Sequence, residues 1–311
     1  MKKLLLCVAA MGIASGALAQ VTLTNTAVDF ATDNVGSVYA ATYSISANKF
    51  LASNAGTTIR IYNGDTGAYE GDMNITGVNP TGNGIFALTA GTDGSIFGME
   101  SGASTLWQWS STASAPVNAI ASGVPFSRAG AVIGTGNTTK VALTGSANNG
   151  PITVFSTTDD VTYTLLETIA ANAKSTLAIN SAITKTWGMP DSSQPIAKTV
   201  NTGSWAADAG FVPDVLTNSS TSMVFDEINN VLFSVQASTV YALNADTGAL
   251  LGSTAITNGF STTPGYAGGI CSPTAGAGTV WFAGRGATAT NASLHKLTYT
   301  VTAAVSDWSI Y

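Results

Sequence analysis

Histidine is almost missing from this chain, cysteine is scarce and charge is thin, and each shortage removes a class of chemistry. Of 311 residues one is histidine and two are cysteine. A Ser–His–Asp triad needs a histidine beside a carboxylate, and a multi-histidine metal centre needs several. His295 stands between Leu294 and Lys296, away from any carboxylate pair, and reads as a surface or packing residue. Cys7 lies within a segment that reads as a secretory signal: Lys2 and Lys3, an apolar stretch from Leu4 to Ile13, then Ala17-Leu18-Ala19 before Gln20. That segment is too short to span a bilayer. Cys7 sits ahead of any full apolar region, which disfavours a lipidated cysteine. If the signal is removed, Cys271 is alone, so an intrachain disulfide and a Cys-ligated zinc site are both excluded. Its run, Tyr266-Ala267-Gly268-Gly269-Ile270-Cys271, reads as an inner strand with the thiol as a small hydrophobe.

Charged residues make up 9% of the chain. Loss of Lys2 and Lys3 from the 11 basic residues leaves 9 against 17 acidic ones, a net charge of −8. A surface of that sign repels phosphate backbones, and no Lys/Arg cluster offsets it, so nucleic-acid binding is not expected. The tail Ser306–Tyr311 carries neither a hydrophobic anchor nor a basic stop. No membrane insertion is expected, and the chain is read as exported, to the periplasm, the cell surface or the medium. An outer-membrane barrel is a rival for an exported, alternating sequence, but so little charge suits a water-filled lumen poorly. Disorder is excluded by 45% apolar residues recurring at strand spacing.

What is present is a repeat. A stiff apolar run such as Lys49-Phe50-Leu51-Ala52 is followed by an alternating strand such as Thr58-Ile59-Arg60-Ile61-Tyr62. The second members fall on Ile59, Leu106, Ile152, Ile196, Val240 and Leu294, with successive separations of 47, 46, 44, 44 and 54 residues. That is the period of a four-stranded propeller blade. The fold expected is all-β: a six-bladed β-propeller of four-stranded antiparallel blades, with seven blades as the alternative. Residues 1–19 form the signal and 20–311 one domain, since no linker divides the chain. The blades are expected at 35–77, 84–122, 128–170, 175–211, 221–256 and from 266 onward. Second strands carrying Phe97, Val141, Trp187, Leu232 and Trp281 suit sheets buried on both faces. Ring closure has two solutions: Val21–Thr24 as an outer strand of the last blade, or Trp308–Tyr311 in that place.

Two near copies stand out, Tyr62-Asn63-Gly64-Asp65-Thr66-Gly67-Ala68 and Leu243-Asn244-Ala245-Asp246-Thr247-Gly248-Ala249. Paired Asp-Thr-Gly triplets fit an aspartic protease, in which two carboxylates share a proton. Polar or small residues precede both triplets, however, and Ala68 and Ala249 follow where that family carries a hydroxyl. An outer-hairpin turn, with Asp246 bonding the backbone ahead of it, is expected instead. The second copy, from Val240 to Gly248, resembles the repeat of quinoprotein-dehydrogenase-like propellers. The resemblance implies the blade and its turn. Gly252 stands where those enzymes carry a docking tryptophan, and their cofactor-pocket cysteine pair is missing, so no cofactor is expected.

Propeller ligands sit where second-to-third strand loops converge near the axis. Asn54, Glu100, Asn148, Asp191, Gln236 and Arg285 fall in or beside those loops, with Arg128 and Lys174 entering from inter-blade connections. No dense Asp-x-Asp loop accompanies Glu100 and Asp191, so no metal is expected. This ring suits a polar ligand, a glycan or a peptide. The function expected is that of a secreted, non-catalytic binding or surface-structural propeller. The alternative is an extracellular carbohydrate-active hydrolase or lyase, with Glu100 or Asp191 as acid or base and Arg128 or Arg285 holding a carboxylate. The aspartic protease is a distant third.

Overall fold

Six four-stranded antiparallel sheets follow one another around an axis in the computed structural model, and each reads as one repeat of the sequence. The structure describes residues 19–28, 38, 40–53, 58–78, 84–100, 102–121, 126–145, 150–171, 173, 176–189, 195–214, 220–236, 239–255, 270–271, 278–284 and 293–302. Blade one is β2 (Ala40–Ser44), β3 (Lys49–Ser53), β4 (Ile59–Asn63) and β5 (Tyr69–Asp72). Blade two is β6 (Ile85–Ala90), β7 (Ile96–Glu100), β8 (Thr105–Trp109) and β9 (Val117–Ala121). Blade three is β10 (Phe126–Ile133), β11 (Lys140–Gly145), β12 (Ile152–Thr157) and β13 (Tyr163–Ile169). Blade four comprises β14 (Leu177–Ile179), β15 (Lys185–Gly188), β16 (Ala197–Asn201) and β17 (Trp205–Ala207). Blade five comprises β18 (Ser220–Asp226), β19 (Val231–Gln236), β20 (Thr239–Asn244) and β21 (Leu250–Ala255). The last sheet holds β22 (Ile270–Cys271), β23 (Thr279–Gly284), β24 (Ser293–Thr302) and, on its outer edge, β1 (Gln20–Val28). Six blades and no α-helix among the described residues match the architecture read from the repeat.

The first of the two closure schemes is the one formed. β1 runs antiparallel to β24 over nine residue pairs, from Gln20 opposite Thr302 to Val28 opposite Leu294. Trp308–Tyr311 lie outside the described residues. Gly252 on β21 backs directly onto the closing strand. A Cβ there would stand 2.1 Å from the Val21 carbonyl oxygen, a separation that no side chain tolerates. The glycine that departs from the quinoprotein-like repeat is therefore the gap through which the ring seals. Its counterpart in blade one, Gly71, has open space around it.

Second strands are dry on both faces because neighbouring sheets press on each of them. Phe97, Val141, Trp187 and Leu232 are 0% exposed and Trp281 is 2% exposed. Burying aromatic rings of this size contributes on the order of 2–3 kcal/mol each. Two of the buried indoles are satisfied across seams. Trp109 Nε1 donates to the Asn74 carbonyl at 2.7 Å, and Trp187 Nε1 to the Ala245 carbonyl at 2.9 Å. His295 takes the packing role: it is fully buried and stacks on Phe282, with centroids 4.9 Å apart and planes within 7°. At the seam between blades six and one, Tyr43 stacks on Trp281 at 4.3 Å, and the Lys296 ammonium lies 4.7 Å from the centre of the Trp281 ring. Between blades five and six the Tyr299 hydroxyl donates to the fully buried Asp226 carboxylate. Burial and that carboxylate push the Tyr299 phenol well above its ordinary value.

First-to-second strand turns are stitched to their neighbours at the end of the ring where they gather. Asp93 of blade two accepts from the Gly136 amide of blade three at 2.8 Å, and Glu227 of blade five accepts from the Ser181 amide of blade four at 3.0 Å. Gly94 approaches Ser46 of blade one so closely that a Cβ would meet its hydroxyl at 2.4 Å.

Replacing Gly252 with alanine is expected to lower stability by about 1–3 kcal/mol, since the Val21 backbone must move to admit the methyl group. Denaturant unfolding measures the loss, and amide exchange along β1 should accelerate with it. Wild-type stability and protection in that variant would show that β1 does not seat on Gly252.

Candidate functional site

Irregularities of the inner strands mark the opposite end of the ring, where second strands finish and inner strands begin. In blade two Ile85 pairs with Glu100 and Ala87 with Met99, leaving Phe86 as an extra residue in β6. Blade three carries the same device on a larger scale. Phe126 pairs with Gly145 and Gly130 with Leu143, so the three residues Ser127–Ala129 stand opposite Thr144 alone. Blade five repeats it, with Thr221 extra between the pairs Ser220–Gln236 and Ser222–Val235. Bulges turn a side chain out of the sheet's alternation and concentrate at functional rims. Here three of them lie at the first residues of inner strands.

Glu100 ends β7 and is 2% exposed. A carboxylate so far from water needs donors, and the Trp107 indole on β8 supplies one, with Nε1 3.0 Å from Oε1. Ile85, the strand partner of Glu100, is held in turn by blade one: the Ser53 hydroxyl donates to its carbonyl at 2.9 Å, tying this corner to the adjoining blade. Arg128 rides on the blade-three bulge and lays its guanidinium over the buried Phe86 ring, 5.8 Å from the centroid. The bulge is braced from behind by Thr144. Its hydroxyl accepts from the Ala129 amide at 3.3 Å and donates to the Ala129 carbonyl at 3.2 Å. Ile85 thus pairs with the carboxylate-bearing residue while the next residue, Phe86, carries the guanidinium. Gln236 is half-buried at the end of β19, opposite the start of the blade-five bulge. Thr176, just before β14, is 2% exposed, and its hydroxyl has no hydrogen-bond partner.

Of the eight residues read from sequence, Glu100 and Arg128 come to adjoining residues of one strand, and Gln236 occupies the corresponding place in blade five. Asn54, Asn148, Lys174, Asp191 and Arg285 lie outside the described residues. Phe86, Trp107, Thr144 and Thr176 were not anticipated. A bulge leaves no mark in a hydrophobic pattern, and an unpaired hydroxyl is visible only once the fold surrounds it. Among the described residues no group of three or more His, Cys, Asp or Glu side chains could hold a metal ion.

The two Asp-Thr-Gly copies are outer turns of blades one and five, built with the same hydrogen bonds. Asn63 Oδ1 accepts from the Asp65 and Thr66 amides, each at 3.0 Å. Asn244 Oδ1 likewise accepts from the Asp246 and Thr247 amides at 2.9 and 3.0 Å. Gly67 and Gly248 close the turns at φ of 70° and 83°, a region where glycine is favoured. The asparagines, not the aspartates, bond the backbone, correcting the role expected of Asp246. That carboxylate instead joins two blades: Lys185 and Lys198 of blade four each reach Asp246 Oδ1 at 2.9 Å, and Lys198 also meets Asp208 at 3.0 Å. Asp65 accepts from Asn48 Nδ2 at 2.8 Å. No shared-proton dyad exists, and the protease reading falls.

Burial pushes the Asp246 carboxyl upward, but the hydrogen bonds and charges of Lys198 and Lys185 outweigh it and hold the group at about 2, below the usual 3.8. Asp208 is also lowered, chiefly by its bond to Lys198. A depressed folded-state value means the cluster adds stability above the unfolded value and loses it as pH falls from about 4 towards about 2. Asp246→Asn is expected to flatten stability against pH in that window in acid titrations followed by circular dichroism. An unchanged acid limb would show that the lysines do not stabilise the ionised form.

No protein-family model and no curated protein sequence matches the chain. Among solved structures, a luciferin-regenerating enzyme matches with a TM-score of 0.62 at 11% identity, covering 91% of this chain and 99% of its own. A gluconolactonase from Xanthomonas campestris matches at 0.60 and 13%, covering 92% and 91%. A protein of unknown function from Bacteroides thetaiotaomicron matches at 0.59 and 12%, covering 90% and 77%. Likeness at this identity is likeness of fold: it supports the propeller and does not extend to the quinoprotein type. The expectation of a non-catalytic binding or structural protein is corrected in favour of its catalytic alternative, since two of the matched structures of this fold are enzymes. That expectation drew on the lack of a recognisable motif. A propeller site is gathered from separate blades some 45 residues apart, so a missing local motif carries no weight against catalysis.

Proposed function

We propose that the chain is an exported propeller hydrolase that opens an ester or lactone bond in a carbohydrate-derived substrate at the bulged end of the ring. One observation carries the proposal: a carboxylate, Glu100, buried to 2% exposure and fixed by an indole N–H at the rim where the inner strands are bent. The Xanthomonas campestris structure of the same fold belongs to a gluconolactonase, which favours an acyl carbon as the point of attack.

In this reading Glu100 is the general base. It removes a proton from water as the water oxygen bonds to the acyl carbon, and charge gathers on the former carbonyl oxygen. Arg128, a guanidinium with rigidly spaced donors, receives that charge or a carboxylate of the substrate. Collapse of the intermediate breaks the acyl carbon–oxygen bond, and the proton on Glu100 passes to the departing alkoxide. One water is consumed and a hydroxy acid is released. Gln236 and Thr176 add hydrogen-bonding capacity from blades five and four, and the candidate loop residues Asn54, Asn148, Lys174, Asp191 and Arg285 complete the ring in this proposal. Export by the N-terminal segment belongs to the same reading.

Purified mature chain should hydrolyse members of a panel of aldonic and uronic lactones, sugar esters and polysaccharides. Glu100→Gln should lower kcat by about 10²–10⁴-fold while circular dichroism and the unfolding midpoint stay close to wild type. Arg128→Ala should act more strongly on anionic than on neutral substrates. Absence of turnover across the panel, or full activity in Glu100→Gln, would overturn the proposal.

A further inference from the structure

We infer that Trp107 is a positioning residue for the Glu100 carboxylate. The inference rests on the hydrolase reading and adds a residue to it. Gly98 pairs directly with Trp107 across β7 and β8, and Glu100 lies two residues further along β7, on the same face of the sheet. The place a Gly98 side chain would occupy is filled by the Trp109 ring, 2.9 Å from where a Cβ would be. Trp107 reaches diagonally to Glu100, a distance that long aromatic side chains span. Its ring packs against the apolar cluster between blades one and two that contains Leu51, Ile85, Ile96 and Trp109. The indole is therefore a fixed post, half-buried, with Nε1 aimed at Oε1.

The chemistry of this pair is asymmetric. The terminal torsion of a glutamate is broad, so an untethered carboxyl samples many orientations. An indole N–H donates and cannot accept, so it holds one oxygen without competing for the proton that a general base must carry. A hydrogen bond to an ionised acceptor is also stronger than one to a neutral group, so the donor is a firm anchor for a carboxylate. Tyrosine or histidine at position 107 would exchange protons with the carboxylate. Phenylalanine would pack in the same cluster without the donor.

The test pairs spectroscopy with kinetics. In ¹H–¹⁵N spectra the Trp107 indole resonance should move when Glu100→Gln replaces the charged acceptor by a neutral amide, a readout that needs no substrate. Trp107→Phe should cut kcat by on the order of 10–100-fold with KM little changed, as expected when a group that orients a reactive one is lost. In the Glu100→Gln background the same change should cost nothing further, because a residue acting through Glu100 has nothing left to act on. An indole signal indifferent to Glu100→Gln, a wild-type kcat in Trp107→Phe, or additive losses in the double variant would each overturn the positioning role while leaving the hydrolase reading in place. Full activity in Glu100→Gln would instead sink that reading and this inference with it.

Discussion

Face-to-face packing of twisted sheets is the constraint on which everything else in this molecule rests. A four-stranded sheet has two faces, and only a neighbour on each side keeps both dry. That condition holds for every blade only if the ring closes, and the ring closes through the antiparallel ladder of β1 on β24. The apolar second strands, the indoles bonded across seams and the stacked Tyr43–Trp281 pair all depend on that ladder. Gly252 shows how tight the requirement is, since the closing strand passes where any side chain would stand.

The two ends of the ring are built differently. At one end, turns are cross-bonded by Asp93 and Glu227 to amides of adjoining blades, and the Asp-Thr-Gly turns are held by asparagines, glycines and a lysine pair. At the other, the ladders of three blades slip by one or two residues and turn inner-strand residues out of register. Shifts in the inner ladders are found at this end alone among the described residues, whereas the outer ladders of blades one and five carry theirs beside the Asp-Thr-Gly turns. A buried carboxylate and a guanidinium stacked on an aromatic ring occupy that irregular end. Neither would be placed there by packing demands alone.

Much of the architecture was legible beforehand because it is written in a pattern with a fixed period. Blade limits and the strands bearing Phe97, Val141, Trp187, Leu232 and Trp281 follow from alternation, turn residues and spacing, whereas closure was left between two segments until the pairing of β1 with β24 settled it. Three-dimensional side-chain traffic was not legible. Asp246 looked like a turn residue bonding its own backbone, yet two lysines from another blade claim it. His295 left surface and core both open, and stacking on Phe282 settled it as core. The candidate site was half-readable: spacing brought Glu100 and Arg128 to one end of the ring, whereas Trp107 and the bulge at Phe86 depend on register, which composition does not encode. The mistaken expectation of a binding module came from seeking catalysis as a local motif in a fold that assembles sites across repeats.

The pairing of Gln20 with Thr302 joins the first described strand to the last. Contacts of such sequence separation are slow to form, because the intervening chain must be ordered before its ends can meet. The nascent polypeptide thus cannot complete its final sheet until the last repeat has emerged. Until then the molecule is an open arc with two unsatisfied edges, held back from premature locking by its own topology.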